Sequence, residues 1–332
     1  MSIKQKIEAA NSIVIDQQTY LIDERSQYSE RVEILSVHNK RDKKFVVIHP
    51  KITDKKELKK FFERRRVADA VRQYIQQDYT GPVFLPPASI DETQSYILMP
   101  YGGAALTKEK VESLSINDQK RLQRGLATFL NATHQRSLAD PTHLPNVPGK
   151  EKVGQCESSS GRENDAYYDC LFDAWKGLAD PKLIAELKKK INAFKKRDRS
   201  DEICVLTHND FDPCNVLYDD KTKRPAVIDY EFCMVTSVYE DFCHFGGLVW
   251  PKKFMHGMIQ YYNTLTRQSP HPTPVSWKKL EQMWEIAALY NQACWIKEWT
   301  GERTPSQTFA DFMETRERLA EPLSKPTRDV IR

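Results

Sequence analysis

The spacing of apolar residues divides the chain into a strand-rich beginning and a helix-rich remainder. Thr19-Tyr20-Leu21-Ile22, Arg31 to His38 and Phe45 to His49 are short runs of β-branched and aromatic residues, which predicts strands. Between the second and third, Asn39-Lys40-Arg41-Asp42 supplies turn chemistry. A helix is expected over about Asp54 to Gln77, because Leu58, Phe61, Phe62, Ala68, Val71 and Ile75 recur at helical spacing. Gly81-Pro82 and Pro86-Pro87 then break the chain before a further strand, Tyr96-Ile97-Leu98-Met99, which ends in Pro100-Tyr101-Gly102-Gly103.

Helical periodicity dominates from there on. Leu122, Leu126, Phe129 and Leu130 form one stripe of a helix over Asn117 to His134. Residues 137–165, rich in Pro, Ser, Gly and Asn, read as a long loop or insertion. Tyr167 to Leu178 and Pro181 to Phe194 are helix-like, the latter with Asp180 as cap and Pro181 in its first turn. Further helices are expected over Val238 to Trp250, Lys252 to Thr266, Trp277 to Trp299 and Thr308 to Leu319. Three short buried strands interrupt the helical part: Cys204 to Leu206, Val216 to Tyr218 and Ala226 to Ile228, with the polar turn Asp219 to Lys223 joining the last two.

Composition narrows the class without deciding function. Of 332 residues, 40% are apolar and 29% charged, which is ordinary for a water-soluble globular protein of one large domain or two lobes. No stretch approaches eighteen apolar residues and the first residues lack an apolar signal core, so the expectation is a cytoplasmic protein without a membrane partner. The seven cysteines, at 156, 170, 204, 214, 233, 243 and 294, include no CxxC pair, which predicts reduced thiols rather than disulfides or a zinc site. Residues 1–200 carry 35 basic against 27 acidic residues, whereas residues 201–269 carry 6 against 10. The basic stretch Lys51 to Arg66 coincides with the amphipathic helix, so it is expected to be that helix's solvated face and not a nucleic-acid surface.

The acidic segment holds the candidate chemistry. In THNDFDPCNVLYDD and the following AVIDYEF, His208, Asp210, Asn215 and Asp229 form a spaced set of one histidine, two carboxylates and one amide. Phosphoryl transfer needs a carboxylate to orient and accept the proton of an attacking hydroxyl, plus oxygen ligands that hold Mg²⁺ against the triphosphate. Asp210 suits the first task, and Asn215 and Asp229 the second, since Mg²⁺ takes few protein oxygens and completes its octahedron with phosphate and water. His208 is either an acid–base group or, more in keeping with a single-base reaction, a buried scaffold residue.

These words resemble the catalytic centre of the aminoglycoside phosphotransferase and choline kinase family, and THND, NVLY and VIDYEF are closest to choline and ethanolamine kinases. The match continues at Tyr239 to Phe245, where those kinases carry a structural Asp and a His-Phe pair. The resemblance implies an α+β, two-lobed protein-kinase-like fold: a small antiparallel-sheet N-terminal lobe over residues 1–100 that binds nucleotide, and a mainly helical C-terminal lobe over 101–332. It implies ATP and Mg²⁺, with Leu98, Met99 and Tyr101 against the adenine. It also implies a small-molecule hydroxyl as acceptor, with a homodimer left open. Trp295 and Trp299, four apart on one helical face, resemble the aromatic helix that lines a quaternary-ammonium pocket, although packing between helices explains them equally.

Two positions depart from the family. The phosphate-covering loop, expected at about Glu24 to Glu30, has no glycine and would rely on Ser26 and Ser29. The phosphate-binding lysine position falls on His49, with Lys44 or Lys51 as substitutes and Glu57 or Glu63 to orient the charge. Asp212 would recognise a substrate amine or cap the loop, and Glu231 would meet a second magnesium or the substrate. Three functions follow: a kinase of an amino alcohol such as choline or ethanolamine, an aminoglycoside or sugar phosphotransferase, and a pseudokinase that acts as a binding module.

Overall fold

The computed structural model describes residues 12–15, 18–29, 32–93, 95–155, 164–200, 202–243, 250–298 and 303–320. In chain order the first elements are β1 (Ser12–Ile15), β2 (Gln18–Ser29), β3 (Val32–Asn39), β4 (Lys44–Pro50), α1 (Lys55–Gln76), β5 (Ser89–Asp91), β6 (Tyr96–Pro100) and β7 (Ala104–Ala105). Then come α2 (Lys108–Ser113), α3 (Ile116–Ala139), α4 (Asp165–Ala174), α5 (Pro181–Lys195), β8 (Cys204–Thr207), β9 (Val216–Asp219), β10 (Arg224–Val227) and β11 (Met234–Ser237). The chain continues through α6 (Glu240–Cys243), α7 (Lys252–Thr266), α8 (Trp277–Lys297) and α9 (Pro305–Ala320). It forms two compact units, one from the described residues up to Ala104 together with Leu217–Phe232, the other from the remainder.

The first unit is built on a six-stranded antiparallel sheet of order β1-β2-β3-β4-β6-β5. Asn39 makes the β3–β4 turn: its side-chain oxygen accepts from the backbone N–H groups of Arg41 and Lys43, and Asp42 takes a left-handed φ of 54°. One face buries Ile15, Tyr20, Leu35, Val37, Val47 and Tyr96. The other buries Ile48 and Ile97 against Phe62, with Leu58 and Phe61 of α1 packed beside them. Asp54 starts that helix by accepting from the N–H of Glu57 at 2.8 Å.

The expectation that the basic residues of Lys51 to Arg66 form a solvated face holds for Lys55, Lys56, Lys59, Lys60, Arg64 and Arg66 and fails at Arg65. Arg72 is buried and paired with Asp69 at 2.8 Å, and Arg65 turns inward. An arginine can sit there because its stem packs on apolar surface while its head meets a buried carboxylate.

Residues 217–232 join this unit as a hairpin of β9 and β10, whose turn is closed by Lys223 N–H to Asp219 O at 2.7 Å. The hairpin leans on the Pro-Tyr-Gly-Gly run. A Cβ at Gly102 would lie 3.0 Å from Ala226 Cβ, and one at Gly103, whose φ is +113°, would lie 2.3 Å from the carbonyl carbon of Tyr218. Glycine is required at 103 both for its backbone conformation and for this close approach.

In the second unit, α3 packs on α7 and on β8, and α8 packs on α4 and α9. The stripe Leu122, Leu126, Phe129 and Leu130 is fully buried, and the helix extends to Ala139, beyond the expected end at His134. β8 and β11 form an antiparallel pair with Thr207 opposite Met234 and Cys204 opposite Ser237. The segment expected to be a loose loop at 137–165 borders this pair on both sides: Pro148 O accepts from Val235 N–H and Cys204 O from Gly154 N–H, each at 2.8 Å. Among the described residues, the helix expected over Val238 to Trp250 is only α6, with 244–249 not described. No described helix is long and apolar enough to cross a membrane, and the six described cysteines are free thiols.

Replacing Gly103 by Ala is expected to destabilise the protein by roughly 1–3 kcal/mol through φ strain alone, and by more through the clash with Tyr218. Urea denaturation should show a lowered midpoint. An unchanged midpoint would mean that the hairpin does not need this approach.

Candidate functional site

The loop from His208 to Asn215 follows β8 directly and is held by groups distant in sequence. Asn209 takes a left-handed φ of 61°, which Asn tolerates better than most residues, and its N–H donates to Asp241 Oδ1 at 2.9 Å. Asp241, 1% exposed, also accepts from His134 Nε2 at 2.9 Å. Because a carboxylate can only accept, Nε2 carries the proton. His134 Nδ1 then meets the Tyr262 hydroxyl at 2.8 Å, and Tyr262 meets Thr273 Oγ1 at 2.6 Å, both inside the helical core. Burial holds the Tyr262 hydroxyl well above the ordinary phenol range. One turn beyond His134, Ser137 Oγ accepts from Leu206 N–H at 3.0 Å and so ties α3 to the strand that feeds the loop.

Within the loop, Asn215 Nδ2 donates to Asp210 Oδ2 at 2.8 Å and to Asp210 O at 2.9 Å. Both hydrogens of the amide are thereby committed, which leaves its oxygen as the group that can face a cation. The pair gives Asp210 a fixed carboxylate orientation. Phe211 is buried, with its ring stacked on Trp250 at 6.3 Å and its carbonyl accepting from Trp250 Nε1 at 3.2 Å. His208 is buried edge-on to Phe211 at 5.9 Å, the position of a scaffold residue. Asp212 caps the turn Pro213–Asn215 by accepting from Cys214 N–H at 3.1 Å, and burial raises its carboxyl above the ordinary range. Of its two expected roles, the geometry carries the cap.

Asp229 and Glu231, in the first unit, converge on one cation. Asp229 has a left-handed φ of 65° and accepts from Arg65 Nη1 at 2.8 Å. Arg65 Nε lies 3.3 Å from Glu231 Oε2, an ion pair without hydrogen-bond alignment, so this buried Nε has no hydrogen-bond acceptor among the described residues. Burial is the main influence on Glu231 and raises its carboxyl, Arg65 opposes that, and Asp229 adds to it. The guanidinium of Arg65 rests on Asp229. Asp229 in the first unit and Asn215 in the second each carry an oxygen donor of the kind magnesium takes. Glu231, expected at a second magnesium or the substrate, instead pairs with Arg65.

The remaining nucleotide-side expectations are largely revised. The segment expected as a phosphate loop is strand through Ser29: Ser26 pairs with Ile34 and Ser29 with Val32, with a register shift between Gln27 and Ser29. His49 is 9% exposed and donates from Nδ1 to Ser95 O at 2.7 Å, so it braces the start of β6. Lys51 is exposed, and Lys44 Nζ lies 5.9 Å over the Tyr101 ring. Neither Glu57 nor Glu63 orients such a charge: they pair with Lys60 at 2.7 Å and Lys59 at 3.7 Å on the outer face of α1. The cation brought here is Arg65, the middle of Arg64-Arg65-Arg66 and one turn from Phe61 and Phe62, in a basic stretch assigned to solvent from the sequence. Leu98 and Met99 lie on β6 opposite Val47 and Val46, half-buried, and Tyr101 N–H donates to Lys44 O at 3.1 Å.

On α8 the aromatic residues are engaged by the protein itself. Trp284 is buried and donates to Phe242 O at 2.8 Å. The Trp295 ring carries the Arg303 guanidinium at 4.5 Å, and Tyr167 carries Lys297 Nζ at 4.2 Å. Trp299, His244 and Phe245 lie outside the described residues.

A model of the phosphotransferase enzyme family matches residues 35–277. No curated protein matches the chain significantly. Among solved structures, a mutant aminoglycoside 2′-phosphotransferase-IIIa in its GDP complex is 13% identical with a TM-score of 0.58, over 89% of this chain and 92% of that one. Macrolide 2′-phosphotransferase MphH from Brachybacterium faecium is 17% identical with a TM-score of 0.55, over 91% and 92%. The streptomycin–ATP complex of APH(2″)-IIa is 16% identical with a TM-score of 0.53, over 90% and 93%. The likeness establishes the fold.

Replacing Asp241 by Ala should cost roughly 3–5 kcal/mol, because His134 and the Asn209 N–H lose a buried acceptor. Hydrogen exchange should accelerate across residues 204–215, and retained protection there would refute the anchor. Asp212→Asn keeps the cap and removes a charge that burial disfavours, so its urea midpoint at pH 7.5 should match or exceed wild type. The sign follows from the raised pKa: the ionised buried carboxyl weakens the folded state as pH rises, and the two proteins converge in acid.

Proposed function

The chain belongs to the phosphotransferase enzyme family, and from that premise we propose that it transfers the γ-phosphoryl group of ATP to a hydroxyl of a small molecule. The observation that carries this reading is the Asp210–Asn215 contact at 2.8 Å in a loop anchored by a buried carboxylate. Asp210 orients the acceptor hydroxyl and takes its proton as the oxygen attacks in line with the leaving nucleoside diphosphate. Asn215 and Asp229 are the proposed magnesium ligands, and magnesium bound there would neutralise charge on the phosphate oxygens. Most of the acceleration in such reactions comes from positioning and charge, and a carboxylate held by one hydrogen bond from an amide whose other hydrogen goes to the same residue's backbone carbonyl fits that demand.

We place the acceptor among hydroxyl-rich small molecules. A choline pocket requires open aromatic faces, and the rings of Trp295 and Tyr167 already carry Arg303 and Lys297. The named ligands and substrates of the structural neighbours, streptomycin and macrolides, are hydroxyl-rich. A second reading, a binding module without turnover, draws on the guanidinium at Asp229.

ATP consumption across aminoglycosides, macrolides, sugars, ethanolamine and choline should rise with a hydroxyl-rich acceptor and remain at background with choline. Asp210→Asn should lower the stimulated rate by roughly 10²–10⁴-fold. Full activity of that variant would remove the base assignment. Absence of any acceptor-stimulated turnover, together with no thermal stabilisation by MgATP or MnATP, would select the binding module.

A further inference from the structure

The reaction needs a protein cation on the phosphates, and the strand position that supplies it in protein kinases carries His49, whose imidazole is spent on Ser95 O. Within the first unit a different cation points at the metal-ligand carboxylate. Arg65 sits at mid-helix on α1, its side chain 19% exposed, with Nη1 on Asp229 and its guanidinium 5.5 Å from the Phe61 ring. Its hydrogen-bonding capacity is not all spent: Nε is buried and lacks an acceptor among the described residues, although Glu231 lies 3.3 Å away. A guanidinium is rarely left buried with an idle donor unless a further acceptor completes it.

We propose that Arg65 is the phosphate-binding cation of the nucleotide site, transferred from strand to helix, and that Asp229 and Glu231 hold it in place until nucleotide arrives. The inference rests on the phosphotransferase reading above. Charge and reach favour it. Magnesium held by Asp229 would draw the phosphates toward the carboxylate that Arg65 already touches. The guanidinium that then shares that carboxylate would find several further acceptor oxygens on the triphosphate. The planar fork of arginine matches phosphate oxygens in pairs, so the exchange replaces one hydrogen bond by two. Glu231 remains as the near counter-charge that keeps the arginine in the site when the metal takes Asp229. Exposed lysines 44 and 51 have no such restraint.

Affinities of ATP and adenosine, measured by calorimetry on the full chain in magnesium and again in EDTA, test this. The wild type should prefer ATP over adenosine in both. Arg65→Gln should weaken ATP at least ~10-fold and leave adenosine unchanged, with Arg65→Lys intermediate. Glu231→Gln, which releases one restraint and keeps the arginine, should tighten ATP in EDTA and covers the case in which the Arg65 variants fail to fold. An ATP-to-adenosine ratio in Arg65→Gln equal to that of wild type overturns the assignment and leaves the phosphotransferase reading intact, as does weaker or unchanged ATP binding by Glu231→Gln. A wild type that binds neither ligand overturns both. A residue that merely braced Asp229 would alter magnesium dependence without changing the ratio in EDTA.

Discussion

The carboxylate of Asp241 is the point on which the catalytic loop depends. It is almost wholly buried, and a buried charge persists only when its lone pairs are filled. His134 and the N–H of Asn209 fill them, and His134 is fixed in turn by Tyr262 and Thr273. The core of the second unit thus dictates the direction in which the chain leaves β8. Asn209 is held in a left-handed conformation, and the following residues turn so that Asp210 and Asn215 face each other. Loosening any link would leave the same residues in the sequence and no defined carboxylate for the acceptor.

The first unit answers a different electrostatic problem. Asp229 and Glu231 lie close together, and the Asp229 charge adds to the burial that raises the cost of charging Glu231. Arg65 relieves that repulsion from a helix that is otherwise basic toward solvent. The glycines before β7 serve the same unit by a steric route, since only a residue without Cβ lets the chain lie against Tyr218 of the hairpin that precedes Asp229. The second unit holds the Asp210–Asn215 carboxylate–amide pair, and the first holds the Arg65 guanidinium against Asp229.

Much of this was legible in residue spacing. The strands at 19–22, 31–38, 45–49 and 96–99, the helix from about Asp54, the stripe of α3 and the hairpin after Asn215 follow from period and turn residues, which act over a few residues. The set His208, Asp210, Asn215 and Asp229 stands out by a spacing that phosphoryl transfer would use, and its members Asp210 and Asn215 are in contact. The expected phosphate loop proved to be strand through Ser29, because the β-ladder to β3 overrides the polarity of Glu24 to Ser29. The segment at 137–165 looked loose from its Pro, Ser and Gly content, yet its backbone closes both edges of the β8–β11 pair.

By itself, the sequence determined which short-range elements form and which reaction its acidic segment could serve, since both depend on residues near one another in the chain. Only the tertiary structure decided the partners of the long side chains. That His49 serves Ser95, that Arg65 rather than a lysine meets Asp229, that Lys297 covers the Tyr167 ring and that His134 anchors the loop through Asp241 are contacts across tens to more than a hundred residues. Periodicity assigns a side chain to a face. Burial and charge complementarity choose what it meets there, and they act only after the chain has packed.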